Sequence, residues 1–208
     1  AVHWQTEGVF THAFFVEHNI ERFSSTKEGH GGGLWLVPLL MMVSTLPFSI
    51  FLPQAWSSYQ QVPKQAGRFT GSIVLAFLVF FTFSQTKLPS YPAPAYPFLA
   101  FFLAPGVAAI YQGQTKIYHG QMIFLLLLGF AIPIGAYYGL ASIPGAAESR
   151  EQAAWLIIIP ALLALACIAH FRKQVKRSLQ LIASAFLILQ LLLFTILLPQ
   201  LDQKNHVQ

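Results

Sequence analysis

Glu17, His18, Glu21 and Arg22 fall within six positions in "VEHNIERF", directly behind the apolar pair Phe14-Phe15. A guanidinium can clamp a phosphate through two parallel hydrogen bonds, which makes Glu17, His18 and Arg22 a candidate anion site. The same residues also suit an interfacial helix whose ion pairs keep it wet, with Arg22 touching lipid headgroups. A second group is "KLPSY", Lys87 to Tyr91. A lysine and a tyrosine here can be the ordinary interfacial anchors of a helix end, or part of a pocket wall. Pro89, Pro92, Pro94 and Pro97 stiffen that loop, since each ring fixes its own φ. His30 in "EGHGGG" sits where glycines allow close backbone approach, as a lid over a site or as a linker. His170 and Cys167 are three apart with no third ligand nearby. His3, His12, His18 and His30 lack ligand spacing, so no metal is expected, and His170 is read as capping a helix end beside Arg172.

The elements that must position these residues are membrane helices. Only 9% of the 208 residues are charged, 55% are hydrophobic, Phe occurs 19 times and the mean hydropathy is +0.58. This excludes an ordinary soluble core. A net charge of +5 raises the question of nucleic acid. The basic residues, however, lie in short loops between apolar runs and read as topology signals, so no nucleic-acid partner is expected. Cys167 is the single cysteine, which excludes a disulfide or a thiolate metal site within the chain.

Crossing about 30 Å of hydrocarbon takes roughly 20 apolar residues. Six segments are expected to do so: 34–55, 69–84, 94–111, 120–142, 153–171 and 178–199. Ahead of them Val9, Ala13, Val16, Ile20 and Phe23 form a helical stripe, predicting an amphipathic helix in the membrane interface. The expected fold is all-α and polytopic. Its parts are an interfacial helix with a Gly-rich loop (1–33), a six-span bundle (34–200) and a short tail (201–208). Lys64, Arg68, Lys116, Arg172, Lys173, Lys176 and Arg177 fall in loops on one side, whereas the other side's inter-helix loops carry Lys87 and Arg150. The positive-inside rule makes the first side cytoplasmic. The 1–33 segment and the 85–95 loop then share the extracytoplasmic face. The chain opens at Ala1 without a basic and apolar leader, so no signal peptide is expected there and the chain reads as a piece of a longer protein.

Taken in order, "FFVEHNIERF", the span from "LWLVPLL" to "LPFS" and "FSQTKLPSYPAPAYPFLA" resemble the bacterial polyprenyl-phosphate-sugar glycosyltransferases over residues 8–100. That group includes the lipid A aminoarabinose transferases, is related to the protein O-mannosyltransferases and has the C-type membrane glycosyltransferase fold. The resemblance implies that Arg22 and Tyr91 hold the donor's phosphate, with Lys87 and His18 close by; Glu17 and His30 are added as supporting candidates. It implies a polyprenyl-phosphate sugar as donor, membrane lipids as surroundings, and an extracytoplasmic acceptor such as lipid A, protein or glycan. No cofactor is implied, because the sugar arrives on its lipid as a substrate. The setting implied is a bacterial inner membrane, with the active face extracytoplasmic. Pro47-Phe48 departs from the family's usual Pro-Trp. The family's catalytic acid lies in a first extracytoplasmic loop that has no counterpart here, so the catalytic residues are unassigned and the chain is expected to be inactive alone. The competing reading is a non-enzymatic module, a transporter half or an assembly subunit. Such a module would carry ionisable residues mid-span, and these spans hold almost none.

Overall fold

The computed structural model describes Val9 and residues 32–85, 87–88, 90–142 and 147–197. The expected interfacial helix, apart from Val9, and the 201–208 tail lie outside the described residues. Among the described residues the chain is helical with no strand. Five stretches are long and apolar enough to cross a membrane: Lys64–Phe83, Ala93–Tyr111, His119–Ser142, Glu151–Phe171 and Val175–Thr195. This is an all-α, multi-pass membrane protein. The helices are α1 (Leu36–Ser44), α2 (Leu52–Ser58, flanked by 3-10 turns), α3 (Lys64–Phe83), α4 (Tyr96–Tyr111), α5 (His119–Ser142), α6 (Ile158–Phe171, led in by a 3-10 stretch from Ala147) and α7 (Val175–Leu192).

The segment expected as the first span at 34–55 is bent. Leu36–Ser44 and Phe48–Gln61 meet at 104°. Pro47 has no N–H to continue the helical ladder. The released carbonyls are taken by side chains: Thr45 Oγ1 donates to Met41 O at 2.8 Å and Ser49 Oγ to Met42 O at 2.7 Å. The bent pair nevertheless runs the length of α3. At one end, a Cβ on Gly32 would lie 3.4 Å from Lys87 Cδ, and Lys87 Nζ donates to Ser84 O at the C-terminus of α3. At the other end the Tyr59 hydroxyl donates to Gly67 O in the first turn of α3. The 20 residues of α3 rise about 30 Å, and the chain from Gly32 to Pro63 covers that distance. The other spans fall near their expected places. α3 starts five residues early, at Lys64, because Pro63 admits a helix start behind it and Lys64 and Arg68 reach water from its first turns.

The contacts divide the chain into two compact units, one of residues 1–49 and 55–105, the other of residues 50–54 and 106–208. In the first, Phe102 packs against Tyr59 at 4.5 Å between ring centroids, and Phe98 meets Phe69 edge-on. In the second, α5, α6 and α7 pack around Leu125, Ile159, Leu163 and Ile182, all fully buried. Gly129 lets the backbones approach: a Cβ there would stand 2.7 Å from Leu163 Cδ1 and 3.3 Å from Pro160 Cα. Small residues serve this purpose in lipid, where the hydrophobic effect does not drive helices together. Ser178 Oγ donates to Ala166 O at 2.9 Å, and the Cys167 thiol reaches Met122 O at 3.6 Å. Gln54 and Gln121 exchange reciprocal amide bonds of 2.8 and 2.9 Å and also hold Lys116 O and Ile50 O. The fully buried Gln54 is thereby satisfied.

Two helices that end within the second unit end in the same turn. At the end of α4, Gly113 N donates to Ile110 O and Gln114 N to Ala109 O. At the end of α6, Lys173 N donates to His170 O and Gln174 N to Ala169 O. This pair of bonds is the Schellman motif, which needs a left-handed residue at its fifth position. Gly113 fills it with φ 74° and Lys173 with φ 59°.

Candidate functional site

Of the six candidate residues, Glu17, His18, Arg22 and His30 lie outside the described residues. Lys87 and Tyr91 are described, and both belong to the loop that joins α3 to α4. Ser84 leaves α3 in an extended conformation. The loop then advances by short turns, with Tyr91 N donating to Leu88 O at 3.1 Å, Ala93 N to Ser90 O at 3.0 Å and Ala95 N to Pro92 O at 2.9 Å. The prolines force this spacing, because each lacks the N–H a longer helix would use.

Lys87 is buried, 6% exposed, and its ammonium bonds the Ser84 carbonyl at the negative end of the α3 dipole. Its stem runs along Gly32. The side chain therefore ties three pieces together: the end of α3, the loop, and the chain entering α1. Tyr91 is half-buried, with its ring 4.8 Å from Phe81 at an interplanar angle of 32°. Phe81 is itself flanked by Phe80 and Phe77, so the phenol is seated on an aromatic shelf on α3. Two further hydroxyls in these elements, Thr82 Oγ1 and Tyr96 OH, are enclosed without a protein partner. An enclosed polar atom left open is costly unless a water or a ligand completes it.

The neighbours of this loop that sequence reasoning did not single out are Gly32, Thr82 and Tyr96. Only Gly32 carried a signal, as a member of a glycine run that permits close approach. His170 departs from its expected capping role. Its backbone carbonyl takes the turn's hydrogen bond, while its ring stands edge-on to His119 at 5.2 Å with Nδ1 unpartnered. Among the described residues no three histidine, cysteine or acidic side chains gather at one point.

The chain is 32% identical over 142 residues to undecaprenyl phosphate-alpha-4-amino-4-deoxy-L-arabinose arabinosyl transferase 2 of Pseudomonas fluorescens, covering 66% of this chain and 25% of that protein. The chain is a homologue of such transferases. An undecaprenyl phosphate-alpha-4-amino-4-deoxy-L-arabinose arabinosyl transferase of Pseudomonas aeruginosa is 33% identical over 137 residues, 64% of this chain and 24% of that protein. An uncharacterized protein of Aquifex aeolicus is 28% identical over 123 residues, 59% of this chain and 29% of its own. The chain thus spans about a quarter of the length of the arabinosyl transferases it matches. No protein-family model matches it, and no solved structure does. The resemblance read from "FFVEHNIERF" and "KLPSY" is borne out. At 142 residues it also runs longer than the 8–100 stretch on which it was first seen.

Proposed function

We propose that this chain is part of an integral-membrane glycosyltransferase that moves aminoarabinose from undecaprenyl phosphate to lipid A on the extracytoplasmic face of a bacterial inner membrane. The observation that carries this reading is the similarity to proteins named as arabinosyl transferases using that donor. In the reaction the bond between the anomeric carbon and the phosphate oxygen breaks as the acceptor oxygen bonds to that carbon. Undecaprenyl phosphate leaves, and the acceptor's proton passes to a base that we place outside this chain. Arg22 and the Tyr91 hydroxyl stabilise the charge growing on the leaving phosphate, with His18 beside them and Glu17 and His30 in support. Lys87, bonded to Ser84 O beneath the loop, adds positive potential from below and fixes the backbone that carries Tyr91. The donor is amphiphilic, so its reacting centre belongs at the water–lipid boundary, where the helix-end loop bearing Tyr91 suits it.

The test is transfer from undecaprenyl-phosphate aminoarabinose by the full-length protein, normalised for membrane abundance. Arg22→Ala is expected to cost about 2–5 kcal/mol of transition-state stabilisation, the scale for stripping one partner from a buried charge pair. Tyr91→Phe is expected to cost roughly 1.5–3 kcal/mol, the worth of a hydrogen bond to a charged group. Arg22→Lys recovers only part, because an ammonium lacks the planar fork. Unchanged turnover in both Arg22→Ala and Tyr91→Phe would overturn the assignment.

A further inference from the structure

The two Schellman turns wall an open cleft of about 600 Å³ whose lining includes Tyr111, Gln112, Gly113, Lys173, Lys176 and Arg177. Three of these six residues are cationic, and Arg172 is next in sequence. Among the described residues no carboxylate stands beside them. Between residues 29 and 201 the sequence contains only two carboxylates, Glu148 and Glu151. Glu151 begins the 21-residue stretch that ends at Phe171, so it lies roughly 30 Å from the cleft along that helix. Lys176 is instead held 4.8 Å above the Tyr111 ring, which places its ammonium on the cleft wall.

Lys173 adds an independent sign. A side chain at φ 59° is disfavoured by contact between Cβ and its own backbone, and the matching turn uses glycine. Lys173 is exposed, so burial does not account for it. What the lysine brings that glycine would not is a cation on the rim. The depth of the cleft follows from its neighbours. Tyr111, Tyr118 and Phe171 are 46%, 56% and 63% exposed at this end of the second unit, the aromatic girdle expected at headgroup level.

We propose that this cleft is a binding site for the phosphate headgroup of an anionic phospholipid in the leaflet on the basic side. The phosphate oxygens accept from Lys173, Lys176 and Arg177, the Tyr111 and Gln112 side chains border the headgroup, and the acyl chains run down the apolar flank of the second unit.

The test is native mass spectrometry of the full chain from mixed micelles of phosphatidylglycerol and phosphatidylcholine, counting the lipid retained. Phosphatidylglycerol is expected to be held in preference. Each Lys or Arg near such a surface is worth about a fivefold change in affinity, so Lys173→Gly lowers the preference about fivefold and Lys173→Gly with Arg177→Gln roughly 25-fold. Lys173→Gly keeps the turn, since glycine suits its φ, and this separates lost charge from lost structure. Lys64→Gln removes the same charge from the first unit and leaves the preference in place. Undiminished preference in the double variant overturns the site. An equal loss in Lys64→Gln also overturns it, as diffuse attraction to the whole basic surface. Displacement of the lipid by excess inorganic phosphate overturns the lipid assignment in favour of a small-anion site.

Discussion

The ends of α4 and α6 solve one backbone problem with two different residues. "AIYQGQ" and "AHFRKQ" close with the same two hydrogen bonds, of 3.0 and 2.8 Å after α4 and 2.9 and 2.8 Å after α6. The left-handed position is Gly113 in one and Lys173 in the other. Glycine takes that conformation freely, whereas an ordinary L-residue gives up roughly 1–2 kcal/mol there. The first turn is thus shaped by the backbone alone, and the second accepts a local penalty to present a side chain. The difference separates a connector from a surface that binds, although the hydrogen-bond patterns are identical.

That contrast can be broken most severely with proline. Lys173→Pro forbids the positive φ and deletes the N–H that reaches His170 O, so it should destabilise by about 3 kcal/mol in SDS-titrated unfolding of the micelle-bound protein. A loss under half that size would mean the turn is not held by its backbone. Gly113→Val comes next. A Cβ at Gly113 meets nothing within 4 Å, so the whole effect is conformational, and a loss of roughly 1–2 kcal/mol is expected. Lys173→Gly is the smallest and has the opposite sign. Relief of the left-handed strain, offset by glycine's greater freedom in the unfolded chain, leaves a gain of about 0.5 kcal/mol. Any destabilisation by Lys173→Gly would show that the lysine packs rather than binds.

Composition made the membrane class legible, and charge counting placed the loop bearing Tyr91 on the same side as the chain that enters α1. The Gly32–Lys87 contact agrees with that placement. The 104° bend was not legible, because hydropathy averages over a window and is blind to direction. Pro47 alone did not announce it, since prolines elsewhere are carried inside long helices, as at Pro105 and Pro133. The burial of Lys87 was hidden for a related reason. A lysine in a polar-looking loop reads as exposed until one sees that the end of α3 supplies a carbonyl to its ammonium. Nothing in "HFRKQ" marks Lys173 as left-handed, because glycine is the usual residue there. Tyr91 was found through motif resemblance, and its aromatic shelf was not, since Phe77 and Phe81 are indistinguishable in sequence from lipid-facing residues.

The bend at Thr45–Pro47 also bears on how the chain enters its membrane. α1 has nine residues and a rise of about 13 Å, less than half of what a helix needs to cross unaided. A segment of that length leaving the ribosome has no stable transmembrane position of its own. It reaches one when α3 arrives to hold both of its neighbours, Tyr59 at one end and, through Lys87, Gly32 at the other. The insertion unit is therefore a helical hairpin rather than a single span. In a ribosome-stalled chain, cysteines placed within residues 36–61 should stay open to a water-soluble maleimide until Phe83 has emerged, and should become protected once the chain extends beyond Lys87.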